Sequence, residues 1–178
     1  APLDLATSAQ PQALLLLDLN RDGKLDLIIS HFGGSSVGIR LGRGDGTFDA
    51  LRLAIVGASP RAMAAGDLNR DGKLDLLVVN VPSRDLSMLP GRGDGTFDAA
   101  QTVSLFALGS SRATPEALVL GDFDGDGIID AVVRISNPTS ARASGSASSG
   151  PGCSTTTSRS VSPPGSTWRS RWRTPSSS

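Results

Sequence analysis

The nine-residue segment DLNRDGKLD occupies residues 18–26 and recurs at 67–75, and a third version, DFDGDGIID, fills residues 122–130. Ten of the sixteen aspartates lie in these three stretches. A second segment, GRGDGTFDA, recurs with the same 49-residue offset, at 42–50 and 91–99. A proline stands seven residues ahead of each acidic segment, at Pro11, Pro60 and Pro115. The third interval is 55 residues, six more than the first, and the extra length falls around residues 107–112. Two full repeats and the start of a third are therefore present. Such an array consists of one supersecondary unit whose apolar faces need a neighbouring unit to bury them.

Within a repeat the periodicity is that of strands. Residues 13–17 form a continuous apolar run, expected to be buried on both faces. Residues 25–30 (LDLIIS) and 74–79 (LDLLVV) follow a turn and are rich in Leu and β-branched residues. Residues 36–41 alternate apolar and polar at Val37, Ile39 and Leu41, GRGDGT is a Gly-Asp turn, and 48–56 is a fourth strand. No window carries helical periodicity. Four short strands in 49 residues match one propeller blade in size. The expected fold is all-β, a partial β-propeller of two to three four-stranded antiparallel blades spanning residues 1–134.

From residue 135 the pattern stops. Residues 1–134 hold all 17 acids against 12 bases, whereas 135–178 hold five arginines and no acid. The neutral total averages two unlike segments and says nothing about partners. Fifteen of the last 44 residues are Ser, so this tail is expected to be disordered. Counting 24 residues from Asp122, as from Asp18 to Gly42, lands on Ser146, with no Gly-Asp-Gly-Thr-Phe nearby. A reading-frame shift near Ile135 would produce that abrupt change in mid-blade. Cys153, the single cysteine, cannot form an internal disulfide. No targeting peptide or membrane span is visible, and the chain reads as a mature fragment or an excerpt.

The acidic segments carry the chemistry. Oxygen-bearing side chains fall at loop positions 1, 3, 5 and 9, with glycine at 6. Ca²⁺ takes six to eight oxygen ligands, and alternate side chains of a tight loop converge to supply them. The absence of His and Cys from all three loops argues against zinc or copper. An EF-hand needs a bidentate Glu at position 12, where this chain has Ile29, Val78 and Val133, followed by a β-rich run. Ion-free Asx turns would explain one such loop. They do not explain oxygen at all four positions three times over. Without a cation each close carboxylate pair costs on the order of 4 kcal/mol at an effective dielectric near 20.

These loops, with the GRGDGTF segments at Gly42 and Gly91 and the GASP at 57–60, resemble the FG-GAP or VCBS-type repeats of integrin-α-like β-propellers. The resemblance covers about residues 9–134. It implies a calcium loop between the first two strands of each blade, hence up to three Ca²⁺. Its ligands fall on Asp18, Asn20, Asp22, Lys24 (carbonyl) and Asp26; on Asp67, Asn69, Asp71, Lys73 and Asp75; and on Asp122, Asp124, Asp126, Ile128 and Asp130. Family propellers have about seven blades, so the chain departs from the pattern in length.

Other signals are weaker. Arg43-Gly44-Asp45 and Arg92-Gly93-Asp94 spell an adhesion tripeptide, but the turn alone explains them. His31 has no His counterpart in the second repeat and is expected at a surface or edge. Residues 168–173 interleave Trp and Arg in the tail, too short a signal for a nucleic-acid or membrane surface. With one His, and only Asp4, Asp85 and Glu116 outside the loops and turns, no catalytic constellation can be assembled.

The sequence therefore implies a non-catalytic calcium-binding module of a secreted or cell-surface protein, active in adhesion or protein interaction. A lectin-like propeller and an accessory domain of a larger secreted hydrolase are the alternatives. The ligand is a protein or glycan that the sequence does not name. Further blades or self-association are expected, and nucleic acid is not.

Overall fold

A computed structural model describes residues 10–105, 114–136 and 155–160. The described residues form eleven strands and no helix. They build three antiparallel sheets, one per repeat.

The first sheet runs β1 (Gln10–Leu17), β2 (Asp26–Phe32), β3 (Ser36–Arg40) and β4 (Arg52–Ile55) in chain order. The second repeats it with β5 (Pro60–Gly66), β6 (Asp75–Asn80), β7 (Asp85–Leu89) and β8 (Gln101–Ser104). The third contains β9 (Thr114–Gly121), β10 (Asp130–Ser136) and β11 (Thr155–Ser160), ordered β9-β10-β11. Registers repeat along with sequence. Leu14 pairs with Ile29, Met63 with Val78, and Leu118 with Val133. The first two meanders are the four-stranded unit that the 49-residue period implied, and the third sheet has three strands. The inserted residues around 107–112 lie outside the described residues.

Neighbouring sheets stack through their inner strands: β5 packs on β1 and β2, and β9 on β5 and β6. Strand alternation sends Leu76 and Val78 into one core and Leu77 and Val79 into the next. The first core joins Leu19, Ile28, Val37 and Ile39 to Met63, Leu76 and Val78. The second joins Leu68, Leu77 and Met88 to Ala131 and Val133. Burial on both faces explains why β6 is apolar without interruption from Leu76 to Val79.

Two expectations need correction. The run at 13–17 is not buried on both faces, because Leu14 and Leu16 point away from the second sheet and are 63% and 61% exposed. His31 is buried, not at the surface. The opposing strand supplies the room: a Cβ at Gly38 would lie 2.8 Å from the His31 ring. Two stretches beyond residue 134 belong to the third sheet. β10 continues to Ser136, and Thr155–Ser160 forms a strand against it, from Asp130↔Ser160 to Ile135↔Thr155. The open edge of β10 offers unpaired backbone groups, and a Thr-rich segment suits a strand. The rest of the tail, Cys153 and the Trp-Arg segment included, lies outside the described residues.

Candidate metal centre

Each acidic segment forms the loop between the first two strands of its sheet, β1–β2, β5–β6 and β9–β10. The chain turns there on left-handed residues. Position 6 is glycine with φ of 82°, 83° and 76° at Gly23, Gly72 and Gly127. Position 4 is left-handed too, at Arg21 (φ 61°) and Arg70 (φ 62°), and the third loop meets the same need with Gly125.

The first aspartate folds the loop around itself. Asp18 accepts the backbone N–H of Asp22 at 3.1 Å and of Gly23 at 2.8 Å. Asp67 does the same for Asp71 (3.1 Å) and Gly72 (2.9 Å), and Asp122 for Gly125 (2.8 Å) and Gly127 (2.9 Å). Position 3 adds an inward acceptor: Asn20 and Asn69 take the N–H of Asp22 and Asp71 at 3.1 and 2.9 Å. Asp124 takes that of Asp126 at 3.3 Å.

Position 5 closes the next turn. Asp22, Asp71 and Asp126 accept the N–H of Lys24, Lys73 and Ile128 at 2.9, 2.9 and 2.7 Å. These backbone bonds hold the carboxyls of Asp22 and Asp71 below the usual range. In the first two loops the position-7 side chain competes for the same carboxylate, with Lys24 at 3.6 Å from Asp22 and Lys73 at 3.5 Å from Asp71. A cation bound at Asp22 or Asp71 would have to displace an exposed ion pair of small worth.

The ninth position differs from the others. Asp26 and Asp75 are fully buried, and Asp130 is nearly so. Asp26 receives the N–H of Leu19 at 2.9 Å on one oxygen and that of Gly42 at 2.8 Å on the other. Asp75 binds Leu68 (3.0 Å), Asn69 (3.2 Å) and Gly91 (2.8 Å) in the same way, and Asp130 accepts Phe123 at 3.2 Å. Sequence reasoning made this residue a ligand and missed that it ties the loop to the strand after next. The constant 16-residue spacing from Asp26 to Gly42 and from Asp75 to Gly91 was the available signal.

In the third loop Asp122, Asp124 and Asp130 each bring one carboxylate oxygen within 4.8 Å of the others. Burial pushes the Asp130 carboxyl up, and the charges of Asp124, Asp126 and Asp122 add to that. Among the described residues the first two loops bring no such three acids together. Asn20 and Asn69 replace the central Asp there and supply a neutral oxygen. Every donor in the three loops is oxygen, and converging carboxylates at this spacing fit a hard cation such as Ca²⁺.

The GRGDGTF turns are closed by their own side chains. Thr47 donates its backbone N–H and its hydroxyl to Asp45 at 2.9 and 2.6 Å, and Arg43 pairs with Asp49 at 2.8 Å. Asp94, Thr96, Arg92 and Asp98 repeat the arrangement. Threonine's hydroxyl is the main cause that lowers the carboxyls of Asp45 and Asp94. Both ends of each Arg-Gly-Asp tripeptide are thus engaged within the turn.

A search of curated proteins found no match. The model of the FG-GAP-like repeat matches residues 18–78 and again 67–133.

Proposed function

The chain belongs to the FG-GAP-like repeat family of β-propeller modules, and on that premise we propose a non-catalytic, calcium-binding module of a secreted or cell-surface protein. Its role is adhesion or protein interaction. The observation that carries the reading is the convergence of Asp122, Asp124 and Asp130, one oxygen each within 4.8 Å, in a loop whose counterparts repeat its backbone bonding. Calcium would be held by Asp18, Asn20, Asp22 and Asp26, by Asp67, Asn69, Asp71 and Asp75, and by Asp122, Asp124, Asp126 and Asp130. The carbonyls of Lys24, Lys73 and Ile128 would add one oxygen per loop. The ion would be structural, cancelling carboxylate repulsion and fixing each hairpin's entry into its sheet.

Extracellular modules bind calcium at about 10⁻⁴–10⁻³ M, which suits exposed loops of three or four acids and an extracellular location. The test is thermal unfolding of the chain in calcium and in chelator. A site filled at 100 times its Kd adds about 2.7 kcal/mol, or several degrees in Tm. Superimposable melts in the two conditions refute the calcium reading.

A further inference from the structure

The acidic loops differ in the cations they carry. Loops 18–26 and 67–75 each set three acids against one Arg and one Lys, a net charge of −1. Loop 122–130 has four acids and no base, a net of −4. In the first two loops Lys24 and Lys73 stand 3.6 and 3.5 Å from the carboxylates of Asp22 and Asp71. The third has Ile128 at that position, so it holds the most negative charge and no counter-ion of its own.

Its neighbour supplies one. Arg70 reaches from the second acidic loop to the backbone of the third, where a Cβ at Gly127 would lie 3.5 Å from its Nη2. Gly127 follows Asp126 and donates its N–H to Asp122 at 2.9 Å, which places the guanidinium beside the acids of that loop. Arg70 is exposed, and among the described residues it forms no ion pair. Arg21 occupies the same loop position with nearly the same φ, 61° against 62°. Its corresponding neighbour, Gly72, has nothing within 4 Å. The crossing is made at one junction and not at the other.

We propose that Arg70 is the counter-ion of the third acidic loop, easing carboxylate repulsion when no cation is bound and weakening the loop's hold on a divalent one. A positive charge beside four carboxylates offsets their mutual repulsion without ligating anything. The same charge opposes a Ca²⁺ brought to Asp122, Asp124 and Asp130. One loop thereby sets the affinity of the next. The first effect stands on the charge of the loop alone, and the second rests on the calcium reading proposed above.

Arg70→Gln and Arg70→Lys test it, with Arg21→Gln as the control at the equivalent position. In chelator at low salt Arg70→Gln should lower Tm by about 2–4 °C. Sodium chloride at about 0.5 M should shrink that difference, because exposed charges are screened. In a calorimetric calcium titration the tightest phase of Arg70→Gln should gain about three- to tenfold in affinity, the size expected for one unit charge near a divalent ion at an exposed site. Arg70→Lys keeps the charge and should resemble wild type in both measurements. Arg21→Gln should leave the tightest phase unchanged. An Arg70→Gln melt that matches wild type in chelator overturns the proposal, as does a loss that salt does not reduce. So does an unchanged tightest phase, or an Arg70→Lys as altered as Arg70→Gln. Should wild type show no calcium phase at all, the calcium reading fails, and the chelator melts alone uphold or overturn the role of Arg70.

Discussion

The buried carboxylate of Asp26 accepts the backbone N–H of Gly42 at 2.8 Å, across 16 residues of chain. Its other oxygen holds Leu19, so one side chain fastens the acidic loop to the exit of β3. Asp26→Asn places an amide NH₂ against one of these N–H donors. The expected loss is about 1–3 kcal/mol, and urea denaturation should find it in chelator as well as in calcium. A loss seen only in calcium would make Asp26 a ligand and nothing more.

Gly42 itself is fixed by space. A Cβ there would lie 2.0 Å from the carbonyl oxygen of Leu25, and at Gly91 equally close to that of Leu74. Gly42→Ala must move backbone, and a loss of roughly 3 kcal/mol or more is expected. Gly46→Ala, with nothing within 4 Å and only a left-handed φ of 86° to maintain, should cost about 1–2 kcal/mol. Equal costs at the two sites would contradict this ranking.

The first two sheets solve one packing problem differently. Where β2 and β3 place His31 beside Gly38, β6 and β7 place Asn80 beside Ser87, with the amide donating to the hydroxyl at 2.8 Å. Gly38→Ser alone should clash with the imidazole. Combined with His31→Asn it should recover part of the loss, with a coupling of about 0.5–3 kcal/mol in a double-mutant cycle. Strict additivity would show that the pairs are unrelated.

Burial lowers the proton affinity of His31 below the ordinary value near 6.5. The unfolded chain then binds a proton that the folded chain resists. Stability is complete above pH 6.5 and should fall as pH drops below it toward the lower folded value. Melts between pH 7.5 and 5.5 should show this decline in wild type, and His31→Asn should flatten it. A variant that tracks wild type across the range assigns the decline to other groups.

The third loop has one carboxylate more than its siblings, Asp124 against Asn20 and Asn69, and Gly125 and Ile128 where they carry Arg and Lys. More carboxylate should bind calcium more tightly. Asp124→Asn is expected to weaken the tightest site by about tenfold, roughly 1.4 kcal/mol, in a calorimetric titration. An unchanged isotherm would argue that charge does not rank the sites.

Much of this was legible before any coordinates. The doubled segments set the repeat length, and the runs after Leu25 and Leu74 located β2 and β6, since a strand buried on both faces has no polar alternation to confuse the reading. The left-handed turns followed from glycine at position 6. What escaped depended on partners distant in sequence. His31 looked like a surface residue because the cavity that takes it is made by Gly38 on another strand. Asp26 looked like a ligand among ligands, because its bond to Gly42 leaves only a spacing in the sequence. The apolar 13–17 run resembled an interior strand, yet nothing in the described residues covers Leu14 or Leu16 as the first sheet covers Met63. Thr155–Ser160 had neither periodicity nor apolar content to mark it.

Among the described residues the second sheet alone has a neighbouring sheet on both sides, and β6 is buried along its whole length. In a stack whose members touch only their neighbours, loosening begins at the ends and works inward. Backbone amides of β6 and β7 should therefore hold their protons longest in deuterated solvent, and those of β1 and β9 should exchange first. The molecule would lose its outer sheets while the middle one still stood.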